Sequence, residues 1–81
     1  MEINKITECL YRTEVMPTAK RVVQVIGHGT VSVWVSVDGE AFSQHIAKSV
    51  VGSLILVVDL PIEGTMYVQM ESKDEPTIII L

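Results

Sequence analysis

The chain has 81 residues, 48% hydrophobic but only 5% aromatic, with a mean hydropathy of +0.41 and a formal net charge of −4. That length allows one small domain. Its cations (Lys5, Arg12, Lys20, Arg21, Lys48 and Lys73) form no basic stripe, which excludes phosphate-driven nucleic-acid binding and docking on an anionic membrane.

The first 19 residues read as an N-terminal arm or first strand, extended over Thr7 to Val15 and stopped by Pro17. Ile3, Ile6 and Leu10 would also share a helical face, so a helix stays open there. Residues 20–81 read as a β-sandwich domain. Lys20 to Ile26 is a strand, and Gly27-His28-Gly29 is expected to be a short hairpin loop, because glycine takes positive φ at little cost. Thr30 to Val37 alternates with period two. Val31, Val33, Val35 and Val37 point one way, and Ser32, Trp34 and Ser36 the other. Asp38-Gly39 predicts a type I′ hairpin turn, with Glu40 to Ile46 returning as the partner strand. Ala47 to Val51 reads as strand or loop, and Gly52-Ser53 as a break.

Leu54 to Asp59 is apolar without alternation, which predicts a strand buried on both faces. Pro61 and Gly64 bound the next connection. Thr65 to Glu71 alternates, with Met66, Val68 and Met70 on one face and Tyr67, Gln69 and Glu71 on the other. Ser72 to Pro76 is a polar turn. Thr77 to Leu81 is a final strand, apolar on both faces and expected to be paired and covered, because a bare apolar edge aggregates. The fold class is therefore all-β: a small antiparallel β-sandwich or barrel of six to seven strands. No run is long and apolar enough for a transmembrane helix. The doubly apolar strands must be central or lie against another subunit, since a domain this small buries only ~60% of its unfolded surface.

Catalytic and metal-binding chemistry finds little support. His28 and His45 show no metal spacing with Cys9 or with each other, and each reads as a solvent-facing or locally bonded imidazole. Cys9 is the sole cysteine, so no internal disulfide forms, and a buried inert thiol is expected. Asp38, Glu40, Asp59 and Glu63 read as solvated turn carboxylates. The expectation is a non-enzyme without metal or cofactor. Trp34 is either filler of a second core face or an aromatic anchor at a protein interface. Tyr67 sits comparably on its own strand, so the two rings are expected side by side in one sheet. Trp34, Tyr67, Tyr11, Ile79 and Leu81 are the candidate contact residues.

The segment Gly29 to Phe42, GTVSVWVSVDGEAF, resembles small β-sandwich structural modules of tailed bacteriophage virions, where a strand pair is joined as G-T-V-x-V-x-x-S-x-D-G-x-x-[FW]. GTMYVQM from Gly64 to Met70 and the closing TIIIL are similar to later strands of those modules. Phe42 stands where Trp is frequent, and the first 19 residues have no counterpart. The resemblance implies a capsid decoration or cement protein, or a small tail or fibre module. Its implied partners are further copies of itself and another virion protein. It also implies synthesis in the host cytoplasm and residence in the virion, consistent with a start, MEINKITE, that lacks the layout of a signal peptide. A small inhibitor or adaptor that binds one host protein is the competing expectation.

Overall fold

Two strands of sixteen residues form the spine of the molecule, β4 (Arg21–Ser36) and β5 (Ser43–Val58). The computed structural model describes residues 3–60 and 62–81. Met1 and Glu2 of the expected arm, and Pro61 of the expected connection, lie outside them. The other strands are β1 (Ile3–Thr7), β2 (Leu10–Thr13), β3 (Met16–Pro17), β6 (Thr65–Ser72) and β7 (Thr77–Ile80). They form one antiparallel sheet in the order β1-β2-β6-β4-β5, with β3 also pairing β6 and β7 also pairing β4. β1, β2 and β3, which lie within residues 3–17, are thus strands of the same sheet.

β5 accompanies β4 along its length, from Arg21 opposite Val58 to Val35 opposite Ser43. On its other side β4 changes neighbours: β7 pairs Val23 to Ile26, and β6 pairs Gly29 to Ser36. A straight strand of this length would span roughly 50 Å at ~3.3 Å per residue, yet the longest dimension of the molecule is 32 Å. β4 and β5 therefore bend. The bend lies at Gly27 and Gly29, with φ of 151° and 156°, and at Gly52 opposite Gly27, with φ of 87°. A Cβ on Gly29 would run into the Glu71 carbonyl, so only glycine lets β6 approach there.

The odd-numbered residues of β4 face inward on both sides of the bend. Val23, Val25, Leu56, Val58 and Ile78 from one half join Val31, Val33, Met66, Val68 and Met70 from the other in a single core cluster. Folding the sheet upon itself is what brings together residues some ten positions apart on one strand face.

Three local expectations are corrected. Gly27-His28-Gly29 is no hairpin loop but the bend of a continuous strand. Gly52-Ser53 does not break β5 but bends with it. Both outcomes use the backbone freedom that also suits glycine to turns. The β4–β5 connection is not a type I′ turn. That turn requires positive φ at both central residues, and among the described residues no non-glycine has one. Instead residues 37–42 form a longer loop around Asp38. Asp38 Oδ1 accepts from Ser36 Oγ at 2.7 Å and from the Glu40 and Ala41 amides at 2.8 and 2.9 Å.

Candidate functional site

The outward face of β5, β4 and β7 is a grid of three rows. Val57, Val22 and Leu81 form one row, Ile55, Gln24 and Ile79 the next, and Ser53, Ile26 and Thr77 the third. The inward residues of the same strands, among them Val23, Val25, Leu56 and Ile78, fill the core, so pleating sends their neighbours outward. Among the described residues, nothing covers those neighbours. Val22, Ile26 and Ile79 are 38%, 43% and 42% exposed, and Ile55, Val57 and Leu81 are 63%, 64% and 80% exposed.

The double burial expected for Leu54 to Val58, and the cover expected for Thr77 to Leu81, are therefore absent among the described residues. β5 and β7 each pair only with β4, so neither is central. No side chain of the grid is charged. Lys20 and Asp59 flank its first row, and His28 and Glu75 lie beyond its third. The six apolar side chains leave on the order of 500–600 Å² open, about the largest apolar patch a soluble monomer carries.

The same outward face beyond the bend carries the aromatic residues. Trp34 lies directly across from Tyr67. The rings stack with centroids 6.2 Å apart and planes 8° from parallel. The Trp34 Nε1–H donates to Ser32 Oγ at 3.0 Å. Phe42, brought back by the Asp38 loop, tilts onto Tyr67 at 5.0 Å. The Arg12 guanidinium covers the Tyr67 ring at 4.6 Å and donates through Nε and Nη2 to Gln69 Oε1 at 3.2 and 2.9 Å.

This assembly corrects two of the expected contact residues. Tyr67 is 9% exposed, covered by Arg12, Phe42 and Trp34, and Tyr11 is 4% exposed on the inward face opposite Met70. Neither ring is presented to a partner. Trp34 is half-buried within the cluster. Of the expected contact residues, Ile79 and Leu81 lie on the open grid. Sequence reasoning missed Val22, Ile26, Ile55 and Val57, because the edge position of β5 and β7 was not visible in their composition.

A groove of about 610 Å³ opens at the bend, lined by Cys9, His28, Glu71, Lys73, Asp74 and Glu75 among others. Cys9 is exposed in the β1–β2 turn, which corrects the expectation of a buried thiol; a short turn leaves its side chain no core to enter. Among the described residues, no three metal-ligating side chains converge on one point. None of the side-chain hydrogen bonds between described residues joins the thiol to the imidazole. The groove thus mixes charges of both signs beside an exposed thiol.

No family model matches the chain, and no curated protein or solved structure matches it significantly.

Proposed function

We propose that this chain is a non-enzymatic assembly protein that acts by burying the outward face of β4, β5 and β7 against another protein surface. The observation that carries the reading is the charge-free grid of six open apolar side chains around Gln24. Water contact with that much apolar area is unfavourable, and a protein partner removes it without requiring any paired charge. The setting we propose is a tailed-phage virion, with the chain as a capsid decoration or cement subunit or a small tail module. This setting rests on the resemblance of Gly29 to Phe42 to such modules.

Mass spectrometry of purified particles tests the setting, with the chain expected at a fixed copy number per particle. Particles that lack the chain would overturn the virion setting. A variant carrying Ile55→Glu and Val57→Glu tests the surface. It is expected to fold and to be missing from particles, and its full incorporation would remove the face from the proposal.

A further inference from the structure

We infer that the occupant of this face is a second copy of the chain, packed face to face about a twofold axis that passes beside Gln24. The inference rests on the docking reading above and names its partner.

Gln24 is the central position of the grid, with Ile55 beside it on β5 and Ile79 on β7. A carboxamide carries both a donor and an acceptor. On a twofold axis the two Gln24 amides meet and bond reciprocally, so the one polar group at the centre of an apolar face is satisfied by its own copy. An unrelated partner would have to supply a matching donor and acceptor at that point, or leave the amide buried and unpaired. Isologous twofold packing is also the commonest arrangement among soluble homo-oligomers.

Charge permits the same packing. With a net charge of −4, two copies repel through most of their surface, but the grid itself carries no charge. One end carries both signs, Lys20 and Asp59, and the other the acidic Glu75. Lys20 adjoins the row of Val22, and Glu75, just before β7, adjoins the row of Ile26 and Thr77. Antiparallel stacking of two grids brings the Lys20 end of each copy over the Glu75 end of the other, so the contact is made twice. The open apolar area is most of the ~800 Å² that each partner contributes to a standard-size interface. Gln24, Ser53, Thr77 and the exposed Val51 beside His28 extend it.

The test is sedimentation equilibrium of the full chain up to about 100 μM, where an interface of this size is expected to be populated. The expected mass is twice the 8.9 kDa of the chain. Ile55→Glu should return the mass to that of one chain with an unchanged far-ultraviolet dichroism spectrum. Lys20→Glu should weaken the dimer roughly tenfold, and adding Glu75→Lys should restore it. In a Cys9→Ser background, Gln24→Cys should cross-link to itself under mild oxidation and Ser53→Cys should not. A wild-type chain that stays a monomer overturns the second copy. If Ile55→Glu is also lost from particles in that case, the docking reading stands with another protein as occupant. A dimer that persists in Ile55→Glu, or a charge reversal without restoration, overturns this geometry.

Discussion

Gly27 of β4 lies directly opposite Gly52 of β5, and both backbones sit at positive φ, 151° and 87°. Paired at one level of the hairpin, they let two hydrogen-bonded strands turn together without losing their ladder. The core depends on that turn, because Val23 and Val33 meet in one cluster only when the sheet folds over.

Substitution at the bend should separate space from backbone strain. Gly29→Ala faces both a positive φ of 156° and the Glu71 carbonyl, so it should cost at least ~2 kcal/mol and open the β4–β6 ladder. Gly52→Ala has φ of 87° with nothing near the added methyl, so only the left-handed backbone penalises it, by ~1–2 kcal/mol. Urea unfolding should rank Gly29→Ala as the more damaging, and the reverse order would contradict the close approach of β6.

Asp38 organises the loop that carries Phe42. Hydrogen bonds from the Ala41 and Glu40 amides and from Ser36 hold its carboxyl at a pKa of about 2, below the usual 3.8. A carboxyl with a depressed folded pKa stabilises above its unfolded value, and that contribution disappears as pH falls through the folded one. The loop should therefore stay ordered near pH 4 and loosen as pH approaches about 2. Trp34 is the sole tryptophan and stacks on the ring that Phe42 touches, so its fluorescence should report the change. Asp38→Ala should give the acid-like spectrum at neutral pH. An identical spectrum for the variant would separate the loop from the aromatic cluster.

Arg12 and Gln69 couple β2 to β6 through a two-pronged hydrogen bond at 2.9 and 3.2 Å. A double-mutant cycle with Arg12→Ala and Gln69→Ala should return about 1 kcal/mol of interaction energy. Arg12→Lys keeps a cation near the Tyr67 ring but lacks the planar fork, so it should recover only part of the loss. Strict additivity of the two alanine changes would count against the bond in solution.

Neighbouring valines of β5 should behave oppositely. Val58 is 2% exposed and Val57 64%. Val58→Ala should lose about 2 kcal/mol by removing buried methyl groups and leaving a cavity. Val57→Ala should stay within about 0.5 kcal/mol in dilute protein and show its effect only in self-association. Equal stability losses in dilute unfolding experiments would mean that the outward face is covered within the chain.

Alternation carried the sequence reading where it ran cleanly. Met66, Val68 and Met70 are fully buried, as their spacing predicts, and so are Val31 and Val33. The pattern fails at Val37, 75% exposed, because the strand ends at Ser36 and the loop begins. It also misjudged Tyr67, since spacing assigns a residue to a face but does not show that Phe42 and Arg12 will cover that face. Glycines were the second source of error. At Gly27, Gly29 and Gly52 the same φ freedom served a bend in place of a turn. Leu54 to Val58 and Ile78 to Leu81 were legible as strands with too much apolar surface. Their edge positions depend on the long-range pairing of β4 with β5, β6 and β7, which no local pattern encodes. The open grid follows from that pairing and was legible only as a surplus.

The unbroken inward–outward order of β4 through its bend also fixes the length of the strand. Inserting or deleting one residue between Gly27 and Val31 would exchange the faces of one half against the other. Val23 and Val25 would then be driven into water while Gln24 entered the interior. Two residues could be gained or lost together without that inversion, provided the glycines still met the bend. Natural length variation in this strand should therefore come in even steps, a pattern that divergent sequences of this fold would display directly.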